Sequence, residues 1–423
     1  MAPAFVLLER DISISRDEAV SGGGSISCPW EGREDPPSRQ EMIDVATEYL
    51  RTFKPRAVVT DPPELSFLHI LRPKSLRLPP MLHDLKWCSI SSADKNLVAL
   101  YAGGYRPGSR LPGGYLIYDA RKDSFSVIPE LPSESDPARH RALGAQSAVV
   151  MCEAAGDGYV LAELVRVWPG WSEAALWLWE TSTQKWVLKS DSVPLPSTTT
   201  HNFTSDLCFS YRGSILCWVD LLRGMVLCHL DQDCKFSFIP LPQDCPAYDD
   251  DFELKYRHVS NEEFRSMACV GGEIKFVAVD DCVEPQAEGL EVTVWTLSSD
   301  LLEWKVSSKY NVEDIWTNGA YQSIGIPKLA PSFPVLSIQE DGVIYLVLNH
   351  LRELDRGMEH LGQSFLRVDM HKNKVQFYPR TRKWSVQSQL FASELSAHRQ
   401  RLQDHPREIE GSEIGAGRKK MKP

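Results

Sequence analysis

Residues 207–242 read LCFSYRGSILCWVDLLRGMVLCHLDQDCKFSFIPLP. The stretch divides into four short runs, 207–211, 214–219, 225–230 and 235–239, rich in cysteine, aromatic and β-branched residues. Arg212-Gly213, Asp220 to Gly224 and Asp231 to Cys234 separate them, and Pro240 closes the last. Apolar runs of this length, punctuated by Gly, Asp and Pro, predict a four-stranded meander. One such sheet leaves two apolar faces uncovered, so the rest of the chain must supply what packs on them.

It does so by repetition. The third-strand, turn, fourth-strand pattern returns as YLIYDARKDSFSVIP (115–129), LWLWETSTQKWVL (176–188), VTVWTLSSDLLEWKV (292–306) and FLRVDMHKNKVQFYP (365–379). The steps Asp119 to Phe125, Glu180 to Trp186, Ser298 to Trp304 and Asp369 to Val375 are equal in length. First and second strands precede each unit, at 88–101, 148–165, 267–279 and 335–348. Five four-stranded units at intervals of roughly 50–70 residues fit the repeat logic of a β-propeller better than that of a large antiparallel sandwich. Strand 5–9 and two strands within 57–71, joined by Asp61-Pro62-Pro63, supply an incomplete further sheet. The expectation is an all-β propeller of about six mostly four-stranded antiparallel blades.

The run WVDLLRGMVLC (218–228) resembles the WVDLWRGILLCD hallmark of a large plant family, abundant in grasses, catalogued as domain of unknown function 1618 (DUF1618). VTVWTLSSDLLEWKVSSKYNVEDIW (292–316) and FPVLSIQEDGVIYLVL (333–348) resemble two further segments of that family, and FVLLER (5–10) and AVVTDPPELSFLHI (57–70) its lead-in. The hallmark region runs from about 217 to 380. The resemblance implies fold and lineage; the family's name carries no biochemical role.

The 423 residues carry a formal net charge of −11, which disfavours a bulk electrostatic grip on nucleic acid or an anionic membrane. No apolar run approaches the ~18 residues of a membrane span. The opening MAPAFVLLERD has no basic leader, and its apolar run meets Glu9-Arg10-Asp11 too soon for a signal peptide. The ten cysteines include no CxxC, and several fall inside strands, so they read as reduced buried thiols of a cytoplasmic or nuclear protein, with no metal site. One propeller domain is expected over 1–392 and a disordered polar tail over 393–423, whose basic end, Arg418 to Lys422, resembles a nuclear address.

Ser38 and Glu41 have capping-box spacing, and apolar residues from Met42 to Phe53 fall at helical spacing before Pro55, which predicts one amphipathic helical insertion over 39–53. Its stripe would pack on the sheet or dock a partner. In an antiparallel meander successive turns alternate between the two ends of the sheet. The long second-to-third connections (102–113, 167–174, 280–291, 349–364) and the long connections between units thus fall at one end, giving the disc one loop-rich and one trimmed face. Loops on a rigid scaffold carry contacts. Trp168, Trp171, Trp316 and Tyr321 lie in or beside those loops, as do Asp249, Asp250 and Asp251. The aromatics are candidate anchors for a protein partner, or else they fold the long loops onto the disc. There is no GxSxG, HExxH or phosphate-loop motif. The expectation is a non-catalytic protein-interaction scaffold or adaptor without cofactor. The alternative is a propeller hydrolase using loop carboxylates.

Overall fold

The computed structural model describes residues 5–17, 30, 32–74, 80–103, 112–132, 140–144, 146–153, 158–167, 172–196, 202–245, 260–279, 289–323, 325–354, 357–379 and 390–395. Five antiparallel meanders follow one another around a ring. Blade 1 is Cys88–Asp94, Leu97–Ala102, Gly114–Asp119 and Ser124–Pro129. Blade 2 is Ala148–Cys152, Tyr159–Val167, Glu173–Glu180 and Lys185–Pro194. Blade 3 is Leu207–Tyr211, Ile215–Asp220, Gly224–His229 and Lys235–Pro240. Blade 4 is Arg265–Val270, Glu273–Val279, Glu291–Leu297 and Trp304–Asn311. Blade 5 is Ser332–Leu336, Val343–Leu354, Gly357–Asp369 and Lys374–Pro379.

The sheet between blades 5 and 1 is of another kind. Val6–Glu9 and Ile14–Asp17 both run parallel to Leu65–Pro73, Lys54–Val58 runs antiparallel to it, and Leu390–Ser393 pairs antiparallel with Val6–Glu9. The expected count of six antiparallel blades is therefore corrected to five. At the seam the sheet is assembled from both ends of the chain. A strand laid alongside 65–73 in the same direction cannot belong to a meander.

The second strands show why the ring holds. In Ile215–Asp220 all six residues are buried. Alternation sends Leu216 and Trp218 into the core shared with blade 2, and Ile215, Cys217 and Val219 into the core shared with blade 4. Leu97–Ala102 divides the same way, Val98, Leu100 and Ala102 toward the seam sheet and Leu97, Ala99 and Tyr101 toward blade 2. Val343–Leu354 does so too: Ile344, Leu346 and Leu348 meet blade 4, while Val343, Tyr345 and Val347 meet the seam sheet around Phe5, Leu7, Leu65 and Leu390. A blade buried on both faces needs continuous apolar strands, which is the pattern the sequence carries.

A left-handed residue recurs at one position in all five third-to-fourth turns, although the turns differ in length. Four residues after the last residue of each third strand (Asp119, Glu180, His229, Leu297, Asp369) stands a non-glycine in the left-handed region: Asp123, Gln184, Asp233, Leu301 and Asn373, with φ between 47° and 64°. In blades 1, 2 and 5 the turn is four residues long, which is what the equal spacings after Asp119, Glu180 and Asp369 record.

The helix predicted over 39–53 spans Arg39–Arg51. The Ser38 side chain accepts from the Glu41 amide, and the Glu41 carboxylate accepts from the Ser38 amide, completing the capping box. Val45, Ala46, Tyr49 and Leu50 pack into the core between the seam sheet and blade 1, so the apolar stripe is spent within the fold. Arg39 adds an ion pair to the enclosed Glu130 of blade 1 at 2.8 Å. Two short helices, Val312–Thr317 and Gly319–Gln322, fold the connection between blades 4 and 5. The connection expected over 349–364 is mostly ladder instead: Val343–Leu354 and Gly357–Asp369 pair as far as Leu354 and Gly357.

Candidate functional site

The first strands of the units surround the axis, and a cavity of 580 Å³ lies among them. Ser91 to Asp94, Leu207 to Ser210, Ser266 to Cys269, Phe333 to Leu336 and Leu390 to Ser393 line it. Its two ends differ. Lys95, Arg212 and Gly213 belong to first-to-second turns, and Glu394 follows the strand whose Ser393 pairs with Val6. These residues mark the mouth, on the short-turn face. Lys95, Arg212 and Glu394 are exposed.

At the opposite end Arg10 sits across the channel, 7 % exposed. It follows Glu9, which pairs with Leu390. Its guanidinium donates to Gln146 Oε1 at 2.7 Å, meets Glu262 Oε1 at 3.5 Å and lies over the Phe391 ring at 5.1 Å. Burial pushes the Glu262 carboxyl above its ordinary range, Arg10 pulls it down and Asp11 pushes it up. The channel is thus a one-ended funnel with apolar and aromatic walls (Phe209, Met267, Phe333, Phe391), a charged floor and a mouth bearing both signs of charge.

The inner strands of blades 1, 2 and 3 are stitched together by side chains. Ser91 Oγ accepts from the Ala148 amide at 3.1 Å, Ser92 Oγ accepts from Val150 at 2.8 Å and donates to the Ala148 carbonyl at 2.8 Å, and Asp94 accepts from the Cys152 amide at 2.7 Å. Cys208 of blade 3 directs its thiol to the Ala148 carbonyl at 3.4 Å. Serine and cysteine in these strands close the ring where first strands converge without a backbone ladder.

The strongly shifted carboxylates are engaged in the framework. Burial lifts Glu130 to about 7, against the pull of Arg39 and of the Gly113 amide that donates to it. Glu163 is fully buried and accepts from Ser147 Oγ and from Tyr115 Oη, the latter at 2.9 Å. Burial and the neighbouring Asp220 push Asp206 well up, while the Leu221 amide donates to it at 2.8 Å. Asp220, also raised by burial, accepts from the Leu222 and Thr204 amides at 2.9 and 3.0 Å and from Arg223 at 3.0 Å. Asp220 and Arg223 therefore hold the hallmark turn together. Gly224, at φ 146°, lies where an added Cβ would meet the Ile239 carbonyl at 2.2 Å.

Of the residues singled out as partner contacts, Trp168, Trp171, Asp249, Asp250 and Asp251 lie outside the described residues. Tyr321 is 2 % exposed; its hydroxyl donates to the Pro327 carbonyl at 2.7 Å and accepts from the Leu329 amide at 3.2 Å. Half-buried Trp316 donates from Nε1 to the Leu329 carbonyl at 2.9 Å, with the Lys328 ammonium 5.2 Å from its ring centre. In this conformation both fold the 312–330 connection onto blades 4 and 5, and Tyr321 presents no ring to solvent. Among the described residues, an aromatic that does stand out at the loop-rich end is Trp87, 62 % exposed just before the first strand of blade 1. Sequence reasoning passed over Trp87, Arg10 and Glu262. The one signal for the channel was that first strands carry Ser and Cys amid their apolar residues, as in Ser91, Ser92, Cys208, Ser210, Ser266 and Cys269.

Among the described residues no group of three or more His, Cys, Asp or Glu is placed to hold a metal ion, and no helix is long and apolar enough to cross a membrane. Solved structures to which the chain is similar include a Mycobacterium tuberculosis puromycin-hydrolyzing peptidase (14 % identity, 71 % of this chain and 40 % of that one, TM-score 0.35). They also include a Pyrococcus horikoshii acylaminoacyl peptidase (10 % identity, 70 % and 40 %, TM-score 0.31) and a Bombyx mori GH32 beta-fructofuranosidase (11 % identity, 69 % and 62 %, TM-score 0.32). The chain spans less than two thirds of each of these proteins, and likenesses at this level carry no functional argument. No curated protein matches. Residues 218–345 match the family described as Protein of unknown function (DUF1618), which supports the assignment made on the hallmark segments.

Proposed function

We propose that this DUF1618 protein is a non-catalytic interaction scaffold, and that its described contact site is the mouth of the central channel on the short-turn face. The observation that carries this is the one-ended funnel of 580 Å³, floored by Arg10 and Glu262. A concave, mostly apolar site with a few placed charges is the shape that takes a partner's side chain or short segment. The loop-carboxylate hydrolase finds less support. The carboxylates with the largest upward shifts are tied to backbone amides and arginines that hold turns and blades together.

The test compares the two faces of the disc. Ser210→Trp fills the channel, and Trp87→Ala removes the exposed indole at the loop-rich end. Each variant, with the wild type, is used to capture proteins from the source tissue, and circular dichroism checks the fold. Loss of the captured protein with Ser210→Trp alone supports the channel. Loss with Trp87→Ala alone moves the site to the loop-rich face, where the aromatic anchors were expected. Turnover of a glycoside or peptide substrate by the purified protein overturns the non-catalytic assignment.

A further inference from the structure

The hairpin formed by the third and fourth strands of blade 3 brings two thiols together. Cys228, next to last in Gly224–His229, pairs across the ladder with Phe236, and His229 pairs with Lys235. Cys234 stands just before Lys235 and is the diagonal neighbour of Cys228 on the same face. Both side chains pack into the core between blades 2 and 3, and the two thiols are within hydrogen-bonding reach. After the turn Leu230–Gln232, Asp233 and Cys234 both adopt the left-handed conformation, at φ 54° and 57°. Two such residues in succession fold Cys234 back over the ladder instead of extending the strand. Cys228 has no exposed surface, whereas Cys234 is half-buried. A reagent in solution thus meets Cys234 first and finds Cys228 directly behind it.

We propose that Cys228 and Cys234 form a reversible disulfide on encounter with a hydroperoxide, making this hairpin a redox-modification site. The Cys234 sulfur attacks the terminal peroxide oxygen. An S–O bond forms, the O–O bond breaks, and the other oxygen leaves as water or alcohol, taking up a proton. The Cys228 sulfur then attacks the sulfenic sulfur of Cys234. The S–S bond forms, the S–O bond breaks, and the hydroxyl departs as water with the Cys228 proton. Two thiols lose two electrons in all, and the hydroperoxide gains them. Burial, with Cys234 alongside, pushes the Cys228 thiol up, which disfavours it as the sulfur that meets the peroxide; Cys228 gives up its proton only as it attacks the sulfenic sulfur.

Trypsin cuts after Arg223 and Lys235, so one peptide, GMVLCHLDQDCK (224–235), holds both sulfurs. The full-length folded chain is treated with hydrogen peroxide, alkylated, digested without reductant and weighed. The expected result is loss of two hydrogens from this peptide, with neither cysteine alkylated, reversed by dithiothreitol. In Cys228→Ala the same treatment should leave Cys234 as a sulfenic acid that dimedone labels. If peptide 224–235 of the wild type keeps two alkylatable thiols, or gains oxygen at Cys234 without losing the hydrogen pair, the proposal is overturned.

Discussion

The indole Nε1 of Trp218 donates to the carbonyl of Ser147, 2.8 Å away across the boundary between blades 2 and 3. The ring is fully buried, so a single side chain supplies core volume to one blade and a hydrogen bond to the next. Trp218→Ala should cost about 3–5 kcal/mol through the cavity it leaves. Trp218→Phe should cost less, about 1–3 kcal/mol, chiefly for the stranded carbonyl. Urea denaturation of the two variants checks the order; equal midpoints for Phe and wild type would remove the hydrogen bond from the account.

The repeated left-handed turn offers a stabilising change. Gln184 is exposed and stands at φ 50°, where a Cβ is unfavourable by about 1–2 kcal/mol. Gln184→Gly relieves that strain but adds freedom to the unfolded chain, so a net gain of about 0.5–1 kcal/mol is expected. A lowered thermal midpoint would contradict it.

Arg10 and Glu262 should behave as a buried pair. Removing one partner, as in Arg10→Met, leaves an enclosed charge and should cost about 3–5 kcal/mol, whereas Arg10→Met with Glu262→Leu should cost distinctly less. A double-mutant cycle by chemical denaturation gives the comparison, and simple additivity would show that the two are not coupled.

Glu130 makes stability depend on pH in a defined direction. Its folded pKa of about 7 lies above the ordinary value of 4.5. A raised carboxyl stabilises the fold fully below the ordinary value, and that contribution is lost as pH rises through the folded one. Relative to Glu130→Gln, wild type should therefore lose stability between pH 4.5 and 7. Measuring both proteins across that window tests it; parallel curves would mean that Glu130 keeps its ordinary pKa.

What could be read from the sequence follows from which interactions are local. The blades were legible because each second strand is buried on both faces and its turns recur at fixed steps, as in 215–220 and 119–125. Helix 39–51 was legible because Ser38 and Glu41 satisfy each other three residues apart. The seam sheet was legible in part: strand 5–9 and the strands within 57–71 were expected as an incomplete sheet, but its parallel pairing and its closing strand were not, since nothing near Val6 announces Leu390. The channel floor was equally hidden: Arg10, Gln146 and Glu262 meet only once the ring is closed. Tyr321 and Trp316 show a different limit. Composition marks an aromatic in a loop but not whether its ring turns outward or, as here, back onto the blades.

The pairing of Leu390–Ser393 with Val6–Glu9 has a consequence for the protein's synthesis. Val6–Glu9 is made long before Leu390–Ser393, so it has no antiparallel partner until the last strand of the ring has emerged. Blades 1 to 5 can form in order as they appear, each resting on the one before. Through all of that time Val6–Glu9 presents an open hydrogen-bonding edge to water or to another nascent chain. A chain arrested before residue 390 would hold five formed blades and an adhesive edge. Chaperone engagement should accordingly concentrate on Val6–Glu9 and persist until Leu390–Ser393 arrives.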